Sequence, residues 1–133
     1  MATRSVIGVM YGDVCKSIYC HWDGYLEGVG ATLMENYGRV GASELIACGN
    51  ISNLAASVEE THFYNRDRGE PDQEFLTANT FDEFLEQWSD SWVEYMYIMG
   101  TDEQWYVVQE GRLRLLSEAL AAERARDNMK EQA

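Results

Sequence analysis

Positive charge is scarce in this chain. Ten Lys and Arg stand against 23 Asp and Glu, a formal net charge of −13. A sequence-independent DNA or RNA binder needs a cationic groove to displace counterions, so direct binding to nucleic acid is not expected. Docking on an anionic membrane is disfavoured for the same reason. Long apolar runs are missing too: no stretch of about 18 apolar residues exists that could form a bilayer-spanning helix. The opening MATRSVIGVMYGD has neither a long apolar segment nor a small-residue cleavage site, so no secretory signal is expected. Cysteine is limited to Cys15, Cys20 and Cys48, an odd number that argues against a disulfide framework and for a reducing cytoplasm. The single proline, Pro71, falls in the clearest loop signal, 67–73. What remains is ordinary globular composition, 46% apolar and 12% aromatic in 133 residues. That suffices for one domain over 1–133 with its own core, ending in an exposed or frayed helix end at about 124–133.

The negative charge is concentrated. Residues 1–58 carry a net −2, residues 59–104 a net −11 and residues 105–133 a net 0. Such crowding costs self-repulsion in a folded protein and is more than solubility requires.

Hydrophobic periodicity places the elements. Residues 4–10 and 15–22 alternate as two strands, joined by turn chemistry at Tyr11-Gly12-Asp13-Val14. Helices are expected at about 29–37, stopped by Gly38, and at about 42–48, stopped by Gly49-Asn50, with Ser43 a weaker candidate cap. Residues 51–58 read as an irregular connection and 61–66 as a strand. The best-defined helix is about 81–90. Thr80 and Glu83 form a capping box, and Phe81, Phe84, Leu85 and Trp88 recur at i, i+3, i+4 and i+7. Residues 92–99 and 104–109 form a second hairpin around Gly100-Thr101-Asp102-Glu103. A final helix begins at about 112, with Leu113, Leu116 and Leu120 along one edge. Strands that come as hairpins predict an α+β fold: an antiparallel sheet built from two hairpins plus a central strand, with helices packed mainly on one face.

The chain is poor in catalytic constellations. Cys15, Cys20, His21 and His62 lack the paired spacing of a structural zinc site, and Cys20 and His21 point to opposite faces of a strand. No local signature marks a Cys–His nucleophile. Gly28-Val29-Gly30 lacks the third glycine of a dinucleotide fingerprint, Leu33 standing there, and reads as a turn. No metal, cofactor or catalytic residue is therefore expected. Three other groupings carry more information. His21, Trp22, Asp23 and Tyr25 place an imidazole, an indole, a carboxylate and a phenol within five residues, able to stack on and hydrogen-bond a planar ligand. Arg66 and Arg68 are the only bases of the acidic third and could hold a phosphate or carboxylate, or pair with neighbouring acids. Asp82, Glu83, Glu86, Asp90, Glu94, Asp102 and Glu103 make an acidic set. On the helix, Glu83, Glu86 and Asp90 climb by about 4.5–6 Å per step, the order of the spacing of nucleic-acid phosphates.

The run Ser17-Ile18-Tyr19-Cys20-His21-Trp22-Asp23-Gly24-Tyr25-Leu26-Glu27-Gly28-Val29-Gly30 resembles a group of small phage and prophage proteins. Leu33, Glu35 and Tyr37 follow in the same pattern. The resemblance continues at Leu45-Ile46, Gly49-Asn50-Ile51-Ser52-Asn53-Leu54 and Tyr64-Asn65-Arg66-Asp67-Arg68-Gly69-Glu70, and so covers roughly the first half of the chain. It implies a phage accessory product acting in the host cytoplasm. It implies no catalytic residues, and the acidic helix lies outside it.

These readings converge on a non-enzymatic inhibitor. Its acidic, nucleic-acid-mimicking face (Asp82, Glu83, Glu86, Asp90, Glu94, Asp102, Glu103) would occupy the basic groove of a host protein, a nucleic-acid-binding defence component. The alternative is a small-ligand protein that binds or sequesters a nucleotide signal through His21, Trp22, Asp23, Tyr25, Arg66 and Arg68. An unrecognised hydrolase is the third reading. The aromatic hairpin at 92–109 would also suit a homodimer interface.

Overall fold

The computed structural model describes residues 2–64, 67, 69 and 75–132. The first hairpin forms as its sequence dictates: β1 (Ser5–Tyr11) and β2 (Val14–Cys20) pair antiparallel, Ser5 opposite Cys20 and Tyr11 opposite Val14. A π-helical turn (Leu26–Gly30) runs into α1 (Ala31–Asn36), and α2 (Arg39–Cys48) follows. Next come β3 (Ile51–Asn53), β4 (His62–Phe63), β5 (Leu76–Ala78) and α3 (Phe81–Gln87). The chain closes with β6 (Tyr95–Met99), β7 (Trp105–Gln109), β8 (Arg112–Leu115) and α4 (Leu116–Gln132).

The architecture is α+β, but the sheet is larger than two hairpins and a central strand. Among the described residues its eight strands run β4-β3-β2-β1-β6-β7-β8, with β5 also pairing β2. Most pairs are antiparallel. The exception at the centre is β1, which lies parallel to β6 with Ser5 opposite Tyr95 and Val9 opposite Met99. The outer edge of β2 is shared. Residues 15–17 pair with β5, Cys20 pairs with β3, and the side chain of Asn50 accepts from Tyr19 N (2.9 Å) between them.

Alternation along the central strands builds two cores. Ile7, Val9, Ile18, Cys20, Tyr97, Met99 and Val107 face the side covered by α1, α2 and α4, where they meet Leu33, Leu45, Ile46, Leu116 and Leu120. Val6, Cys15 and Ile98 face the other side, under Phe84 of α3 and its neighbours Phe81, Leu85 and Trp88. Among the described residues, helices thus lie mainly on one face, with α3 opposite.

Several boundaries differ from the sequence reading, each for a local reason. Gly38 does not stop the first helix in a left-handed conformation. It is extended (φ −97°, ψ −164°) and serves as the N-cap of α2. Ser43 is not a cap but accepts the Tyr11 hydroxyl (2.7 Å). Ile51–Asn53 is a strand, because the backbone beyond Cys20 offers it partners. The strand expected over 61–66 is confined to His62–Phe63 among the described residues. Residues 112–115 are a strand before the last helix. Glu110 and Gly111 both take positive φ (52° and 76°), a tight hairpin turn that returns the chain onto β7. Leu113 is consequently 43% exposed, while Leu116 and Leu120 are buried as expected. Helix α3 ends at Gln87, three residues short of Asp90, in turns closed by Ser89 Oγ to Glu86 O (2.8 Å) and Ser91 Oγ to Trp88 O (2.6 Å).

Phe84 is fully buried and carries the contact between α3 and the sheet. Phe84→Ala should cost about 3–5 kcal/mol, whereas removing the cap with Thr80→Ala should cost about 1 kcal/mol. Denaturant unfolding measures both; similar losses would mean that α3 is not anchored by this side chain.

Candidate functional site

The distinctive 20–25 run forms a pinned corner. Beyond the end of β2, His21 N donates to Ile51 O (3.0 Å) and Trp22 N to Ser52 O (3.1 Å), so the backbone stays alongside β3. Asp23 turns the chain with a positive φ of 58°. Gly24 N then donates to Thr3 O (2.8 Å), and its carbonyl accepts the buried Tyr97 hydroxyl (2.7 Å). Two glycines permit this closeness. A Cβ on Gly24 would lie 2.8 Å from Thr3 O, and one on Gly28 would lie 2.2 Å from Asp23 O. Of the expected ligand-pocket residues, Trp22 (41%) and Tyr25 (45%) remain exposed. The His21 ring is held from both sides. Its Nδ1 is 2.7 Å from the Tyr19 hydroxyl, and its ring meets Trp22 edge-on at 4.8 Å.

His21 and Trp22 open onto a cleft of about 460 Å³ lined also by Ala2, Arg4, Trp92 and Glu94. The sheet register explains the grouping. Ser5 lies between Cys20 and Tyr95, so the next residue outward, Arg4, falls between His21 and Glu94. Glu94 N donates to Arg4 O (2.9 Å), which holds the two backbones together. Arg4 Nε is buried and has no hydrogen-bond partner, and among the described residues no ion pair joins Arg4 to Glu94. The guanidinium does act at a distance: burial pushes the Tyr19 hydroxyl up in pKa, and Arg4 pulls it partly back. Trp92 is 82% exposed. Sequence reasoning missed Arg4 and Trp92, because only the parallel β1–β6 pairing makes residue 4 a neighbour of residue 94. Asp23 is exposed at the corner but does not line the cleft. Arg66 and Arg68 lie outside the described residues.

The acidic set divides. Asp82, Glu86, Asp90 and Glu94 recur every fourth residue along α3 and the segment leading to β6, and all four are exposed. Glu83 is spent on the helix start: Thr80 Oγ1 accepts from Glu83 N (3.1 Å), and Glu83 Oε2 accepts from Asn79 N (3.2 Å). Asp102 and Glu103 lie at the far end of β6, in the turn to β7, away from Glu94. There Asp102 accepts the Tyr106 hydroxyl (2.5 Å), which lowers the carboxyl pKa and raises that of the phenol. One continuous acidic face of seven residues is therefore not formed. Among the described residues no ion pair joins a cation to Asp82, Glu86 or Asp90, although Arg4 is a neighbour of Glu94. Arg39 donates to Met10 O and Gly100 O, Lys16 lies over the Tyr11 and Phe75 rings, and Arg124 pairs with Glu27.

The thiols are placed for packing. Burial pushes both Cys15 and Cys20 up to about 12, so both are protonated at neutral pH. Among the described residues, no group of three His, Cys, Asp or Glu side chains could hold a metal ion, and no helix is long and apolar enough to cross a membrane. What the cleft can do chemically is stack a flat ring on its indoles and hydrogen-bond the edge of that ring. Comparison with family models, curated proteins and solved structures finds no match to this chain.

Thiol titration of the native protein at pH 8 should detect only the half-buried Cys48 rapidly, and all three cysteines after unfolding. Because the folded pKa values of Cys15 and Cys20 lie above the ordinary 9.0, their contribution to stability is intact below about 9 and is lost as pH rises toward about 12. Denaturation midpoints across that range should fall, and less steeply in Cys15→Ala. Rapid labelling of all three native thiols would contradict this burial.

Proposed function

We propose that the protein is a non-enzymatic inhibitor of phage origin. It acts in the bacterial cytoplasm on a basic, nucleic-acid-handling host protein, such as a defence component. One observation carries the reading. Asp82, Glu86, Asp90 and Glu94 follow one another at a constant interval, exposed and without a cationic partner among the described residues. Carboxylates left unpaired on a molecule of net charge −13 repel one another, and a cationic groove relieves that repulsion on contact. The acids Asp102 and Glu103 belong to a separate surface, so the docking row is the α3 side alone.

A second reading has its own support. The cleft that joins His21 and Trp22 to Arg4, Trp92 and Glu94 has the aromatic walls and convergent polar groups of a small-ligand site. It shares His21 and Trp22 with the pocket expected from the sequence, whose Arg66 and Arg68 lie outside the described residues.

The first reading is tested with the immobilised chain and host lysate at about 50 and 500 mM salt. The expected partner is retained only at low salt, binds nucleic acid on its own and loses that binding when the protein is added. Asp82→Lys, Glu86→Lys and Asp90→Lys together should abolish retention while changing stability by only about 0.5 kcal/mol each. Equal retention at both salts, or an unchanged triple variant, would overturn it.

A further inference from the structure

We propose that the cleft between residues 2–4, 21–22 and 92–94 binds the base of a free guanine nucleoside or nucleotide. The proposal rests on the second reading above, that this cleft is a ligand site, and adds the chemistry that selects its occupant. Two indoles line the cleft, and both are kept in contact with water, Trp22 at 41% and Trp92 at 82% exposure. Large apolar rings at the mouth of a concave site suit a flat π-face of any base. The polar groups then discriminate. Glu94 is exposed, its carboxylate can only accept, and among the described residues no side chain forms an ion pair with it. Arg4 can only donate, and its Nε is left without a partner. The two stand side by side because β1 and β6 run parallel. A ligand edge that fits them must therefore carry adjacent N–H donors next to acceptors.

Guanine carries that pattern. Its N1–H and exocyclic N2–H₂ present two donors to a carboxylate, while O6 and N7 accept from a guanidinium. Adenine offers an acceptor at N1 and a donor at its exocyclic amine, which sets one mismatch against Glu94 and another against Arg4. On the far side of Arg4, His21 is fixed by Tyr19 and Trp22 and is placed to meet a sugar hydroxyl or a single phosphate. The net charge of −13 sets a further preference. Each added phosphate is repelled by the molecular field, so guanosine and its monophosphate are favoured over the triphosphate, most strongly at low salt. The same field disfavours a nucleic-acid strand as the occupant.

The test is calorimetric titration of the full chain with guanosine, guanosine monophosphate and triphosphate, adenosine, and an arginine amide as a guanidinium control. Guanosine should bind about tenfold or more tightly than adenosine, and the triphosphate more weakly than the monophosphate. Glu94→Gln, which keeps the shape of the side chain, should lose about tenfold in guanosine affinity. Trp92→Ala should lose binding with an unchanged unfolding transition, since that side chain packs little. Equal binding of guanosine and adenosine would leave the cleft a ring-binding site but overturn the guanine assignment. Binding of the arginine amide in place of guanosine would overturn it in favour of a partner's side chain. No binding of any of the five compounds would overturn both this assignment and the ligand-site reading.

Discussion

Strand β1 is paired along both edges and packed on both faces, and the placement of every other element follows from that. Its odd residues meet the helices α1, α2 and α4, and its even residues meet α3. Each buried Val or Ile side chain contributes roughly 1.5–3 kcal/mol, so a strand with several of them cannot shift register without exposing one core to water. The neighbours of β1 inherit that fixed register. One is its hairpin partner β2, and the other is β6, some ninety residues later and parallel. The ends of these three strands bring residues 4, 21 and 94 together. The cleft thus lies at the ends of the three central strands of the sheet.

The corner at 20–25 depends on the same support. Tyr97, fully buried on β6, reaches across to the Gly24 carbonyl, and Gly24 N reaches back to Thr3. A buried carbonyl without its donor would cost about 1–3 kcal/mol. The glycines at 24 and 28 allow the chain to approach closely enough for these bonds. In this corner Cys20 and Gly24 are structural, whereas His21, Trp22 and Tyr25 face outward. A motif that stands out in the sequence therefore divides into a packing half and a half available for recognition.

The exposed acids and the cleft meet at Glu94, which is exposed and lines the cleft. The acids on α3 and in the segment after it would act at long range in the proposed reading, because unpaired carboxylates build a negative potential. The cleft, in the proposed reading, works at contact, through ring stacking and hydrogen bonds that must match an edge. The two proposed readings are compatible, because they draw on different physics at different distances.

The sequence by itself was enough for the two hairpins, the capping box at Thr80–Glu83, the aromatic stripe of α3, the acidic concentration and the α+β class. Each is a local matter of alternation, helical spacing or a side chain bonding its own backbone. It misjudged 112–115, because an Arg-Leu-Arg-Leu run fits a helix edge as well as a strand until the positive φ of Glu110 and Gly111 folds it back onto β7. It missed β3 and left Phe75-Leu76 as a brief strand or a lead-in; β3 and β5 form on partners offered by the outer edge of β2. It counted Glu83 with the solvent-facing acids, although the capping box already committed that carboxylate to backbone N–H groups. Tertiary structure alone decided that Arg4, His21, Trp22, Trp92 and Glu94 share a cleft. The reason is the parallel β1–β6 pairing, a contact between distant segments that leaves no periodicity for a sequence to display.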